Sequence, residues 1–412
     1  MDTNKIEYEC DWNKEFSCKN YAILNSDTSH ALCILPSNFV DLIVTSPPYW
    51  GLRDYGEEAV TIWDAEEGCE HEFDNLQEKH DVREETISGK TRTTERCYGD
   101  ESRKFDGNHQ KHTAGQFCIK CGAWRGQLGL EPTLELYIAH LLQITKELKR
   151  VLKPTGVMFW NHGDSYGGSG NASGHTEETT NCGKKTSEYG ATKGHSVGYK
   201  PKCMLLQNFR LIMKIVDEQE WILRNTIIWN KPNHMPSSVK DRFTNGYEPI
   251  FMLTKNKKYW FDLDAVREPH KIPIHAPGNK NRVPLTHHFD EPDRLWGSLA
   301  GKNPGDVWTI PTQPFSDAHF AVFPEKLAER CIKCGCPEDG IVLDPFLGKG
   351  TTMKVAQKHN MSCIGIEISS KYIDIIVKHV PDIPMGKLKQ INGIRSIWPL
   401  INVPEHLKSF LS

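Results

Sequence analysis

Ile341-Val342-Leu343-Asp344-Pro345-Phe346-Leu347-Gly348-Lys349-Gly350-Thr351-Thr352 is the stretch of this 412-residue chain from which its fold is read. Ile341 to Asp344 is a short apolar, β-rich run stopped by proline, the pattern of a buried strand. Gly348 and Gly350 let the backbone approach a ligand closely, and the following helix opens on two threonines with free N–H groups. The phosphate-loop pattern is absent, and the three-glycine dinucleotide pattern is incomplete. The run Cys363 to Glu367 (CIGIE) predicts the next strand and ends on an acid, Glu367, fifteen residues beyond Thr352. Open α/β sheets place a carboxylate there to grip ribose hydroxyls, so the glycine turn and this acid together point to a nucleoside site.

A second proline-bearing turn lies upstream. Val40 to Thr45 (VDLIVT) predicts a buried strand that breaks into Ser46-Pro47-Pro48-Tyr49-Trp50. Two prolines fix φ and remove two N–H donors, which frees the Ser46 and Pro47 carbonyls to accept hydrogen bonds from a ligand. Tyr49 and Trp50 add flat surface beside these acceptors, a combination suited to a planar ring bearing an amino group. Between the two turns, Leu134, Ile138, Leu141, Leu148 and Leu152 recur at helical spacing. They predict a helix from Pro132 to Lys153, stopped by Pro154 and Gly156 and followed by the strand GVMFW. Residues 226–229 (TIIW) and 249–253 (PIFML) read as two more strands. Strands alternating with helices predict an α/β fold with a parallel sheet covered on both faces.

Apolar residues make up 38% of the chain and charged residues 25%, with no apolar run near 18 residues and no basic segment leading into an apolar one at the start. Secretion and membrane insertion are disfavoured. Thirteen cysteines, an odd number, suit reduced thiols with some metal ligation in a cytoplasmic protein better than a disulfide framework. The net charge of −3 does not advertise a nucleic-acid partner, but it is unevenly spread. Residues 57–110 carry sixteen acidic and seven basic residues, whereas residues 224–302 carry thirteen basic and eight acidic ones. An acidic insert masks a basic segment.

With both turns in view, the chain resembles the S-adenosylmethionine-dependent amino-methyltransferases of DNA. Ser-Pro-Pro-Tyr comes first and Asp-Pro-Phe-x-Gly-x-Gly-Thr last, the order of the family's β group, whose Rossmann-like methyltransferase sheet is circularly permuted. The resemblance extends to Asn25-Ser26-Asp27, Asn161-His162-Gly163-Asp164-Ser165, Ile228-Trp229-Asn230-Lys231-Pro232 and His319-Phe320-Ala321. It implies a mostly parallel seven-stranded sheet, with S-adenosylmethionine held by Asp344, Phe346, Gly348, Gly350 and Thr351. Glu367 would take the ribose hydroxyls, Asp27 would approach the adenine, and Phe320 would close over the methionine moiety. Asn25 departs from the glycine that many relatives carry. Ser46, Pro47, Pro48 and Tyr49 would be catalytic, receiving a base flipped out of double-stranded DNA. Serine in the first position usually accompanies cytosine N4, and aspartate or asparagine adenine N6. The expectation is therefore cytosine N4, with adenine N6 as the alternative. A protein or RNA methyltransferase, and a DNA-binding module with an inactive fold, are more remote. A cognate restriction endonuclease is an expected partner.

The acidic insert also holds Cys69-Glu70-His71 and Cys118-Ile119-Lys120-Cys121-Gly122. Two close pairs of soft or borderline donors predict a structural zinc on Cys69, His71, Cys118 and Cys121. Cys331, Cys334 and Cys336 form a competing cluster that reads better as packing. Residues 1–56 are taken as the catalytic-turn part of the methyltransferase domain, 57–130 as the zinc insert, and 131–264 as the domain's continuation. Within the continuation, residues 165–200 are rich in Gly, Ser and Thr and predict a mobile loop. Residues 265–305 are expected to read the target, and 306–412 to complete the cofactor-binding part. Arg53, Lys280, Arg282 and Arg294 are the candidate DNA contacts, with Asp54 beside Arg53.

Overall fold

The computed structural model describes residues 21–73, 116–167, 199–270, 300–313, 323–380, 389–391 and 394–397. Two compact units share the chain, one formed by residues 1–49, 141–164 and 206–412 and the other by residues 50–140 and 165–205.

The larger unit is built on one sheet. Its strands are β1 (Tyr21–Asn25), β2 (Val40–Thr45), β6 (Leu152–Asn161), β7 (Ile222–Asn230), β8 (Tyr247–Thr254), β9 (Val307–Thr309), β10 (Ile341–Asp344), β11 (Ser362–Ile366), β12 (Lys389–Ile391) and β13 (Ile394–Ile397). Their spatial order is β12-β13-β1-β11-β10-β2-β6-β8-β7-β9. From β1 to β9 every strand but β8 points the same way, because β8 pairs antiparallel with both β6 and β7. The sheet thus exceeds the seven strands expected. β9 adds an eighth beyond β7, and the hairpin β12–β13 lies antiparallel along β1. β9 has three residues, VWT, and its run is too short to stand out as a strand in the sequence.

All six residues of β2 are buried, and so are all four of β10 and all five of β11, as befits central parallel strands covered on both faces. One face packs Leu42, Val44, Val157, Phe159 and Val342 against α4 (Glu325–Gly335), α5 (Thr351–Lys358) and α6 (Ser370–His379). The sheet unit also holds α1 (Thr28–Ile34), α3 (Gln207–Gln219) and the second half of α2 (Leu134–Val151). Pro154 and Gly156 do not separate α2 from its strand, because β6 starts at Leu152. Val40 pairs with Leu152 and Leu42 with Val157, so four residues oppose Asp41 alone. This bulge accommodates Pro154 without costing a ladder hydrogen bond.

The smaller unit contains a three-stranded antiparallel sheet, ordered β3 (Thr61–Trp63), β5 (Trp124–Gly126), β4 (Gln116–Phe117). Its interior is organised by His140. This fully buried ring stacks on Trp63 and Trp124 at centroid distances of 4.5 and 5.4 Å. Its two nitrogens meet Glu131 at 2.9 Å and Asp64 at 3.2 Å. The described residues include no helix long and apolar enough to cross a membrane.

Candidate active site and metal-binding cluster

Chain order separates Ser46 from Asp344 by some three hundred residues, yet β2 and β10 are neighbours in the sheet and both turns leave its carboxyl edge. In an open α/β sheet this edge is where ligands bind. Thr45, the last residue of β2, donates its hydroxyl hydrogen to Asp344 Oδ1 at 2.7 Å. Thr352 donates to Oδ2 at 2.6 Å and the Phe346 N–H to Oδ1 at 3.1 Å. Burial raises the Asp344 carboxyl to about 6, although these donors oppose the rise. Gly348 and Gly350 have φ of +55° and +86°, in the left-handed region that a side chain would strain. Gly350 caps α5, which begins at Thr351.

Glu367 directly follows the neighbouring strand, β11. It receives the Gly348 N–H at Oε2 and the Ser369 N–H at Oε1, each at 2.8 Å. Burial carries this carboxyl to about 8, with the Asp344 charge contributing and the two N–H donors opposing. Asn25 donates through Nδ2 to the Glu367 and Ile368 carbonyls at 2.9 and 3.0 Å, so it braces the acid's backbone. Asp27 caps α1 by accepting the His30 N–H at 2.9 Å. Thr28 Oγ1, next along, donates to the Pro345 carbonyl at 2.7 Å. Phe346 meets Trp160 edge-on at 6.4 Å. Phe320 lies outside the described residues.

At the catalytic turn, Ser46 Oγ lies 3.1 Å from the Tyr49 hydroxyl. That hydroxyl also reaches Glu248 Oε2 at 3.0 Å and Asn161 Oδ1 at 3.3 Å. Glu248 forms an ion pair with Lys231, whose ammonium lies 4.3 Å from the Trp229 ring centroid. Burial and the nearby Glu248 charge push the Tyr49 phenol well above its usual range, so it stays protonated. The fully buried His162 lies 5.2 Å from the Tyr49 ring, and burial lowers it to about 3, leaving a neutral imidazole. A Cβ on Gly163 would stand 2.6 Å from Tyr49 Cε2, so the glycine lets the ring seat. Trp50 departs from expectation. It is fully buried and its indole N–H donates to the Glu131 carbonyl at 2.9 Å, so it offers no plate to a ligand.

Sequence reasoning assigned no role to Glu248 or Lys231. Lys231 stood inside a quoted motif, but an acid at the head of a strand, seventeen residues on, has no local signature. Asn161, His162 and Gly163 were quoted as a motif, and only the sheet shows that they pack around Tyr49.

In the smaller unit, Cys69, His71, Cys118 and Cys121 present donor atoms that all lie within 4.8 Å of one another. Cys69 Sγ is 4.0 Å from Cys118 Sγ, and Cys121 Sγ is 3.4 Å from His71 Nδ1. A backbone turn, with the Gly122 N–H donating to the Cys118 carbonyl at 2.9 Å, closes the loop that carries Cys118 and Cys121. The bridge between Phe73 and Cys118 brings the two pairs together. Cys331, Cys334 and Cys336 instead lie in the core of the sheet unit, where burial pushes each thiol up, so they pack as neutral side chains. Of the candidate DNA contacts, Arg53 is half-buried. Asp54 is engaged by its own loop, accepting from the Gly56 N–H and Gln127 Nε2 at 2.8 Å each. Lys280, Arg282 and Arg294, and most of the loop at 165–200, lie outside the described residues.

Comparison with known proteins places the chain among its relatives. A family model described as DNA methylase matches residues 40–378. The chain is 30% identical over 364 residues to the Type II methyltransferase M.SmaI of Serratia marcescens, covering 88% of this chain and 91% of that one. It is 32% identical over 358 residues to the Type II methyltransferase M.Cfr9I of Citrobacter freundii, covering 87% of each. Among solved structures, the cytosine-N4-specific PvuII DNA methyltransferase aligns with a TM-score of 0.48 at 15% identity, over 87% of this chain and 85% of that one. The breadth of the family match, together with two relatives at 30% identity or more along nearly their whole length, establishes that the chain belongs to the N6/N4 amino-methyltransferase family of DNA methylases.

Proposed function

We propose that this chain transfers a methyl group from S-adenosylmethionine to the N4 amine of cytosine, flipped out of double-stranded DNA at a short recognition sequence. The observation that carries the reading is the Thr45–Asp344 hydrogen bond, which ties the Ser-Pro-Pro-Tyr turn to the glycine turn at one edge of the sheet. The residues present fit the cofactor. Gly348 and Gly350 leave the backbone open to close approach, Asp344 holds the head of that turn through the Phe346 N–H, and Glu367 is a strand-end acid for ribose hydroxyls. Thr351 and Phe346 line the same turn; Asp27 would approach the adenine, and Phe320, outside the described residues, would close over the methionine moiety. S-adenosylmethionine supplies, when bound, a methyl group on a positively charged sulfur.

The chain's own work is placement and polarisation. The exocyclic amine is conjugated with its ring and is a poor nucleophile. Acceptors at Ser46 Oγ and the Pro47 carbonyl would take its N–H hydrogens and turn its lone pair toward the methyl. Pro47 and Pro48 hold these acceptors rigid, and Tyr49, locked through its hydroxyl, supplies the stacking face. No cysteine nucleophile follows the prolines, which disfavours carbon-5 chemistry. Serine at position 46, with a neutral hydroxyl where adenine-directed relatives usually carry Asp or Asn, favours cytosine.

Zinc on Cys69, His71, Cys118 and Cys121 belongs to the same proposal. Ligands at 2.0–2.3 Å around a tetrahedral ion lie roughly 3.3–3.8 Å apart, and the contacts of 4.0 and 3.4 Å lie in or close to that range. With all four positions taken by protein the ion would be structural, cross-linking an insert whose own sheet is small. Double-stranded DNA is the partner this reading requires. A cognate restriction endonuclease, in keeping with the Type II relatives, is the second, and the cytoplasm is the compartment proposed.

Incubating unmodified DNA with radiolabelled S-adenosylmethionine and identifying the labelled nucleoside by mass tests the proposal. N4-methylcytosine is expected. N6-methyladenine would reassign the base, and label in protein or RNA alone would end the DNA assignment.

A further inference from the structure

The serine of the catalytic turn carries an ambiguity: a hydroxyl both donates and accepts, and only an acceptor helps an amine that must give up N–H hydrogens. The hydrogen-bond inventory around Tyr49 removes it. Asn161 Nδ2 donates to the Pro249 carbonyl at 3.2 Å, which turns Oδ1, an acceptor, toward the phenol. Glu248 presents only acceptors. Tyr49 therefore faces two obligate acceptors with one hydrogen, and none remains for Ser46. The charge-assisted bond is roughly twice as strong as a neutral one, and the Glu248 contact is also the shorter, so the phenol hydrogen goes to the carboxylate. The 3.1 Å contact with Ser46 can then be made only by Ser46 donating. With its hydrogen committed inward, Ser46 Oγ turns its lone pairs out. Among the described residues no other partner takes them.

We propose that Glu248, held by Lys231, is a positioning residue for methyl transfer. It fixes the direction of the relay Ser46 Oγ–H to Tyr49 O–H to Glu248 carboxylate, which makes Ser46 an acceptor and gives the amine's surplus proton a destination. The inference rests on the amino-methyltransferase reading above. When the amine lone pair forms the new N–C bond, the electron pair of the old bond to carbon leaves with the sulfur. The nitrogen then carries the positive charge. One N–H breaks, its proton bonds to Ser46 Oγ, the serine's own proton passes to Tyr49, and the phenol's proton passes to Glu248. The neutral methylamino group is left beside a protonated carboxyl, and charge balances without any further reactant.

Glu248→Gln keeps the shape and an acceptor but cannot take a proton. On a DNA that the wild type methylates, kcat should fall by roughly 10²-fold, the usual scale for a lost proton acceptor. KM for DNA and for S-adenosylmethionine should stay within about twofold, because neither is bound by this side chain. Tyr49→Phe, which cuts the relay in its middle, should make the second change silent, so the double variant should match Tyr49→Phe alone. A readout independent of turnover is the carbon-13 resonance of the tyrosine ring carbon bearing oxygen, identified by its absence in Tyr49→Phe. It should move in Glu248→Gln without cofactor or DNA. A Glu248→Gln protein with wild-type kcat, an unmoved resonance, or losses that multiply in the double variant would overturn the inference. A wild-type protein that methylates no DNA would instead defeat the reading beneath it.

Discussion

Thr45 Oγ1 donates to Asp344 Oδ1 across 2.7 Å, joining the last residue of one central strand to the last residue of its neighbour. The bond spans the point where the strand order reverses between early and late segments of the chain. A hydroxyl there serves both turns at once: it anchors the start of Ser-Pro-Pro-Tyr and satisfies an acid that is only 4% exposed. Thr45→Val preserves volume and removes the donor, leaving one of three bonds to a buried carboxylate unmade. The loss should be about 1–3 kcal/mol, read as a lower midpoint in denaturant. S-adenosylmethionine affinity by calorimetry should fall with it, whereas an unchanged midpoint and affinity would show that the strand ends are held together by other contacts.

Glu367 makes stability depend on pH in a direction opposite to that of a salt-bridged acid. Burial raises its folded-state value to about 8, against an ordinary carboxyl value of 4.5 in the unfolded chain. Between these limits the folded protein binds more protons than the unfolded one, so stability is fullest below pH 4.5 and declines as pH rises to about 8. Glu367→Gln cannot ionise and should flatten that decline in thermal melts between pH 5.5 and 8. Melts of the two proteins that stay parallel over this range would remove the carboxyl from the account.

The central strands were legible because they are buried on both faces and bounded by prolines: Val40–Thr45 and Ile341–Asp344 have the bounds their apolar runs predict. The strand starting at Leu152 was read four residues short. Its first turn carries Pro154 and Gly156, residues that look like a stop but sit in a bulge opposite Asp41. The glycine turn and Ser-Pro-Pro-Tyr announced themselves through backbone chemistry, which is local. Glu248 did not, because its role depends on an antiparallel strand bringing a distant side chain to Tyr49, and no spacing rule encodes that pairing. Trp50 misled for the same reason, since its neighbour Glu131 becomes a neighbour only on folding.

Gly163 should be intolerant of any side chain. Its added methyl would stand 2.6 Å from the Tyr49 ring and force the ring to move. A displacement of this size at a reacting group can cost on the order of 10²-fold in rate. Gly163→Ala should therefore lose kcat while keeping its melting temperature within a few degrees and its affinity for S-adenosylmethionine. Retained turnover would show that Tyr49 is not the plate against which the base is seated.

Metal analysis of the purified protein should find one zinc per chain if the four-donor cluster acts as proposed. Cys118→Ser should release it, because Cys118 is the buried ligand of the set and the bridge to Phe73 depends on its strand. Proteolysis should then cleave within residues 57–130 faster than in the wild type, while the sheet unit, which has its own core, keeps its cofactor affinity. Metal-free native protein, with the same cleavage pattern as Cys118→Ser, would leave the cluster as thiols and an imidazole in chance proximity.

The basic segment supplies the remaining test. A net charge of −3 gives the whole chain no attraction for DNA, so affinity must come from a local patch, and a local patch has a countable salt dependence. Each phosphate neutralised contributes about 0.9 to the slope of log affinity against log salt. If Lys280, Arg282 and Arg294 contact the backbone, replacing all three with Gln should lower the magnitude of that slope by roughly two to three. Affinity should weaken most at low salt, with S-adenosylmethionine binding unaffected. A residue that reads a base edge would instead reduce discrimination between target and non-target DNA and leave the slope nearly alone. An unchanged slope with unchanged discrimination would take the DNA face away from residues 265–305, leaving Arg53, four residues past Tyr49, as the next contact to test.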